Sequence, residues 1–190
     1  SLVAEHAPLI SMAMPYIAHP AVRNRGTIGG SLANNDPAAS YPSAVLALNA
    51  TITTEKRDIT ADDFFKGMFD TALEEGELIT SVTFPIPEQA GYKHFPNPAS
   101  RYPIVGAFVA KAADGVRVGI TGAGPCAYRQ SEFEEAWADG NLDPERIKDG
   151  KKVEPGFIYS SGSNEEWMKI EELQDFLESD QYRELQELNN

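Results

Sequence analysis

Apolar side chains crowd residues 1–17, where Leu2, Leu9, Ile10, Met12, Met14 and Ile17 recur without a clean polar face. That pattern predicts a helix over Leu2–Tyr16 lying in a core, with Pro15 and Pro20 closing it. Pro37 opens a second helical stretch to Tyr41, which Ser43–Leu48 continues. Ala50–Thr54 alternates small, polar and β-branched residues and reads as a strand. After a charged turn at Lys56-Arg57-Asp58, Ile59 is again extended, and Thr60 or Asp62 caps a short helix through Phe64, Phe65 and Met68. Leu78–Phe84 predicts a strand with Leu78, Thr80, Val82 and Phe84 on one face, ended by Pro85-Ile86-Pro87.

A second unit begins at Gly91. Tyr92–Phe95 is extended and is interrupted by Pro96-Asn97-Pro98. Ile104–Ala112 and Val116–Thr121 form a β-hairpin around Ala113-Asp114-Gly115. Three antiparallel strands with helices on one face are expected. Gly122-Ala123-Gly124-Pro125 is a turn, Ser131 caps a helix through Trp137, and Asp143-Pro144-Glu145 opens another. Lys151–Gly162 has no period. Beyond it, Ser163–Glu166 is a capping box, with Trp167, Ile170, Leu173 and Leu177 on one helical face and Tyr182, Leu185 and Leu188 on a last short one. The predicted class is α+β: a small α/β unit over residues 1–87, an antiparallel-sheet-plus-helices domain over 88–150, and a linker with acidic amphipathic helices over 151–190.

Charge sharpens this division. Residues 1–130 hold 12 acidic and 10 basic side chains, whereas residues 131–190 hold 17 and 6. The net charge of −13 excludes a nucleic-acid binder. No apolar run approaches the roughly 18 residues that span a bilayer. A single cysteine, Cys126, excludes an internal disulfide and any cysteine-ligated cluster held by this chain alone, and points to a reducing, cytoplasmic setting. His6, His19 and His94 are scattered without acidic partners at ligand spacing. No nucleophile motif is present. The chain offers no catalytic group of its own, as expected where a cofactor carries the chemistry.

One stretch is left to supply function: Arg23-Asn24-Arg25-Gly26-Thr27-Ile28-Gly29-Gly30-Ser31-Leu32-Ala33-Asn34-Asn35-Asp36-Pro37. Glycines here allow φ > 0 and close approach of a ligand to the main chain, and successive N–H groups suit an anion. The pattern is neither G-x-G-x-x-G nor a P-loop, so an ordinary Gly-Gly turn and an anion cradle both remain open.

The run His19–Ala39 resembles the second flavin-binding motif in the FAD-binding medium subunit of molybdenum hydroxylases, the group that includes aerobic carbon monoxide dehydrogenase and xanthine dehydrogenase flavoproteins. Ala61–Gly67, Glu77-Leu78-Ile79, Phe84-Pro85, Pro98–Tyr102 and Val118–Gly124 follow in the family's order, and the resemblance fades beyond about residue 135. It implies an oxidoreductase subunit, with FAD as cofactor and with Thr27, Ile28, Gly29, Gly30 and Ser31 wrapping the FAD diphosphate. Asn34 and Asp36 would contact the cofactor or hold the loop. Ile79 would lie near the adenine side, Tyr102 beside the flavin ring, and Arg101 near its negative charge. Ser40 occupies a position where the family commonly has an aspartate bound to the nucleotide portion, a departure that would lower FAD affinity. The implied partners are a molybdenum-cofactor large subunit and an iron–sulfur small subunit, with electrons passing through FAD to an external acceptor. The family's first flavin motif sits in an N-terminal lobe that this sequence lacks. The expectation is therefore a fragment or shortened relative that does not retain FAD well alone. The rival expectation is a scaffold protein that kept the fold, lost FAD, and works through its acidic C-terminal helices.

Overall fold

A computed structural model describes residues 2–98 and 102–141. The apolar N-terminus is not one helix but two, α1 (Leu2–His6) and α2 (Pro8–Ala13), followed by a 3₁₀ turn at Met14–Tyr16. Pro8 cannot continue the ladder of α1, yet it fits the first position of α2, where an N–H has no intrahelical partner anyway. Leu9, Ile10 and Ala13 are buried, but Met12, Met14 and Tyr16 are exposed. The expected all-round burial is thus corrected to a single buried face. Pro20 opens α3 (Pro20–Arg23) rather than closing what precedes it.

The glycine stretch departs most from expectation. It is not a left-handed loop but the start of a helix, α4 (Ile28–Asn34), with Thr27 at the N-cap accepting from the Gly30 amide at 3.0 Å. None of Gly26, Gly29 and Gly30 has a positive φ. Helix α4 ends on Asn35, at φ +44, and α5 (Ser40–Ala47) follows, almost wholly buried.

Strand β1 (Thr51–Thr54) lies between β2 (Asp58–Thr60) and β5 (Ile79–Thr83) in an antiparallel three-stranded sheet. Thr60 caps α6 (Ala61–Phe64) through the Asp63 amide. That helix stops at Phe64, short of Met68, because Phe65–Gly67 (β3) turns to pair with Asp70–Thr71 (β4). The register of β1 against β5 shifts between Thr53↔Ser81 and Thr54↔Ile79. This bulge slips the alternation by one residue. Ile79 and Val82 therefore both pack on the core, whereas Leu78 is 69% exposed, so the predicted face of this strand is corrected.

The second sheet has four strands, not three, in the order β6 (Gln89–Pro96), β7 (Pro103–Ala112), β8 (Gly115–Thr121), β9 (Tyr128–Arg129). The hairpin between β7 and β8 turns at Ala113-Asp114 with Gly115 at φ +132, as the sequence predicts. Ser131 is the first residue of α7 (Ser131–Ala136), and Gln130 occupies the cap position without a side-chain bond.

Helix α5 ties the two sheets together. Val45 and Leu46 join Leu32, Ile52 and Phe64 in one core cluster; Ala44, Ala47 and Leu48 join Leu9, Ile10 and Phe108 in another. The approach to β8 is backbone to backbone: a Cβ on Gly119 would lie 2.1 Å from the Ser43 carbonyl oxygen. Nearby, the Thr121 hydroxyl lies 2.9 Å from the Pro37 carbonyl and 2.7 Å from that of Ala39. These bonds fix the segment leading into Ser40. The expected helix at Asp143–Glu145, the linker and the acidic helices of 151–190 lie outside the described residues.

Candidate cofactor-binding site

A cavity of about 330 Å³ opens where the 3₁₀ turn, the α4–α5 connection and the start of β7 meet. Ser31, Asp36, Ser40 and Tyr102, all predicted from sequence, line it together with Tyr16, Ile17, Ala18 and Tyr41. Asp36 shapes the wall through an Asx turn, its Oδ1 accepting from the Ala38 amide at 2.9 Å. Ser40 is buried at the start of α5, with its Oγ 3.4 Å from the Tyr92 hydroxyl. Tyr92 stacks on Phe108 at 4.1 Å between ring centroids, and burial pushes its phenol pKa up while the contact with Ser40 pulls it back. His94 stacks on Tyr92 and meets the edge of Tyr16. Burial, with Lys93 beside it, holds this imidazole below its ordinary pKa.

The opposite margin is shaped by Arg23, whose Nη1 donates to the Ile17 and Ala18 carbonyls, each at 2.8 Å. This clamp holds Ala18 at φ +47 and so fixes the kink that turns Ile17 and Ala18 into the cavity wall.

The remaining predicted residues are placed differently. Thr27 serves as the cap of α4, and Ile28 packs against the core. Asn34 is exposed and does not line the cavity. Gly29 and Ile79 meet each other: a Cβ built on Gly29 would sit 3.7 Å from the Ile79 Cβ, an ordinary contact. Packing inside the chain therefore does not demand glycine at position 29. At Gly30 the same Cβ would come within 3.0 Å of the Thr27 hydroxyl that caps the helix. The bare main chain of Gly29, with the first-turn amides of Ile28 and Gly29 that neither the helix nor its Thr27 cap takes up, fits a nucleotide phosphate brought close to the backbone. Arg101 lies outside the described residues.

Sequence reasoning missed the supports. Asn35 is fully buried, and its Nδ2 donates to the Gly67 and Asp70 carbonyls at 2.8 and 2.7 Å, pinning the β3–β4 hairpin to the end of α4. Glu77 is a buried carboxylate at the foot of β5. It accepts from Arg57, from the Thr54 hydroxyl and from the Glu74 amide, which together hold its pKa down to about 2. The signal for Asn35 becomes legible only once α4 is placed, since an Asn directly after a helix is a familiar left-handed cap. Among the described residues no cluster of His, Cys, Asp or Glu can hold a metal ion, and no helix is long and apolar enough to cross a membrane.

A capped glycine turn beside a cavity lined by Ser31, Asp36, Ser40 and three tyrosines, carried on a mixed α+β frame, fits the class of cofactor-binding domains. Residues 1–87 belong to the family described as the FAD binding domain in molybdopterin dehydrogenase. It is 38% identical over 156 residues to the nicotine 6-hydroxylase medium subunit of Paenarthrobacter nicotinovorans, covering 77% of this chain and 55% of that one. It is 31% identical over 141 residues to the carbon monoxide dehydrogenase medium chain of Hydrogenophaga pseudoflava, covering 68% of this chain and 49% of that one. A solved structure of carbon monoxide dehydrogenase from H. pseudoflava, a form lacking the Mo-pyranopterin moiety of its cofactor, superposes with a TM-score of 0.69 at 29% identity, over 77% of this chain and 55% of that chain. The chain thus spans about half the length of these relatives. FAD is the cofactor for which this domain family is named.

Proposed function

We propose that this chain forms one wall of the FAD site in the medium subunit of a molybdenum hydroxylase complex. The observation that carries the reading is the convergence of Ser31, Asp36, Ser40 and Tyr102, drawn from both sheets' neighbourhoods, onto one cavity beside the capped glycine turn. FAD, when bound, supplies the electron transfer between iron–sulfur clusters and an external acceptor. The chain's residues bind and orient. Thr27 locks the first turn of α4 by accepting from the Gly30 amide, so that Gly29 presents bare backbone to the diphosphate. Ile79 covers the apolar edge next to Gly29. Ser31 and Ser40 offer hydroxyls along the cavity wall, and Tyr102 packs beside the ring. Asp36 holds the loop through the Ala38 amide, and Asn34 contributes from its exposed end of α4. In this reading a molybdenum-cofactor large subunit and an iron–sulfur small subunit are the partners, in the cytoplasm.

The test is an absorbance spectrum of the chain after FAD loading and desalting, alone and mixed with the N-terminal lobe of a related medium subunit. Retained flavin bands, at least in the mixture, support the reading. Colourless protein in both cases rejects it and leaves the scaffold alternative.

A further inference from the structure

Ile79 reaches Gly29 only because of how the start of β5 is held. The residue sits at the bulge opposite Thr54, immediately after a turn with no regular ladder of its own. Four donors converge inside that turn. Glu77 Oε1 is 2.7 Å from the Thr54 hydroxyl and 3.1 Å from Arg57 Nε; Oε2 is 3.0 Å from Arg57 Nη2 and 2.7 Å from the Glu74 amide. The carboxylate is fully shielded, with 0% side-chain exposure. Thr54 has one proton to give and two acceptors in reach, the Arg57 carbonyl being the other at 3.0 Å. The ionised carboxylate is the stronger acceptor. Outside the cluster, Glu55 Oε2 accepts from the Leu78 amide at 2.6 Å and the Arg57 guanidinium donates to the Ala72 carbonyl. The bonds to Glu77, with those of the Glu74 and Leu78 amides, all bear on the segment that delivers Ile79. None of these groups lines the cavity.

We propose that Glu77 is a positioning residue for the nucleotide side of the site. Its buried charge, locked by Arg57, sets the 74–79 turn so that Ile79 stands against Gly29 and gives the glycine turn its apolar flank. The inference rests on the flavin reading above, and Glu77 touches no ligand itself. A buried bidentate Arg–carboxylate pair is weak evidence for stability, since desolvation consumes much of the Coulomb gain. Its use here is geometric, because two parallel bonds fix direction as well as distance.

The test is a double-mutant cycle on the full chain, with FAD affinity read from the amide signals of Gly29 and Gly30 during titration. Glu77→Gln, by releasing the turn, and Ile79→Ala, by removing the apolar flank, are each expected to weaken FAD binding about tenfold. In the Ile79→Ala background, Glu77→Gln is expected to add nothing, because coupled residues are non-additive. A Glu75→Gln control leaves affinity unchanged. If Glu77→Gln fails to fold, Thr54→Val removes one donor to the same carboxylate and enters the same cycle. Wild-type affinity in the variant, or additive losses, overturns the inference while leaving the flavin reading intact. A wild-type chain whose Gly29 and Gly30 signals ignore millimolar FAD both alone and mixed with the N-terminal lobe overturns both.

Discussion

Gly119 and Gly122 differ from Gly29 in what requires a glycine. At Gly119 and Gly122 the protein itself forbids a side chain: a Cβ would lie 2.1 Å from the Ser43 carbonyl oxygen in one case and 2.0 Å from that of Ile104 in the other, where φ is also +85. At Gly29 the chain leaves ordinary room, and the backbone is helical. Glycine inside a helix costs about 0.5–1 kcal/mol relative to alanine. A residue that is unfavourable where it stands and is not demanded from within is demanded from outside. The first pair belongs to the architecture; Gly29 marks the surface that a ligand meets.

The comparison is broken most forcefully at Gly122. Gly122→Ala combines a left-handed backbone with a main-chain clash and is expected to destabilise by about 3 kcal/mol or more, read as loss of soluble protein and a lowered Tm. Next, Asn35→Ala removes two buried bonds to the β3–β4 hairpin and is expected to cost about 2 kcal/mol in denaturant unfolding. Gly29→Ala sharpens the contrast, because stability and binding should move in opposite directions. The helix gains up to about 1 kcal/mol while FAD retention through desalting falls. If Gly29→Ala destabilises like Gly122→Ala, the distinction between Gly29 and the other two is wrong.

Acid provides a further probe. The Glu77 pKa in the fold, about 2, is below its ordinary value of 4.5, so the contribution of this carboxylate is fully present above pH 4.5. It is lost as pH falls from there towards 2, where the folded state must also take up the proton. Thermal midpoints measured across that window should decline in the wild type, and Glu77→Gln should flatten the part of the decline owed to this group. The smallest effect is expected at Tyr92→Phe. The hydroxyl contact with Ser40 is long, at 3.4 Å, and the stacking on Phe108 is untouched, so stability should change by less than about 0.5 kcal/mol.

What could be read from sequence was local. Ala113-Asp114-Gly115 announces its hairpin because positive φ has a residue signature, and Thr60 announces α6 because a cap needs only the next turn. The glycine stretch stands out in the sequence, but its conformation was misjudged: the residues that make a loop plausible also begin a helix once Thr27 caps it. The β1–β5 bulge was not legible, since register depends on a partner strand about 25 residues away. The same holds for the cavity. Tyr16, Ile17 and Tyr41 carry no chemical motif, and only tertiary packing sets them beside Ser31 and Ser40. Glu77 drew no structural role from the sequence, where it entered only within Glu77-Leu78-Ile79, because its partner Arg57 lies 20 positions earlier.

The carbonyls of Pro37 and Ala39 hang from the Thr121 hydroxyl, and the Gly122 amide donates to Pro37 as well, at 2.8 Å. The cavity wall at Ser40 is therefore mechanically continuous with the end of β8, with no hinge between them. A load applied to the outer sheet, for instance by a subunit seated on it, would tilt that wall directly, as a lever moves its short arm.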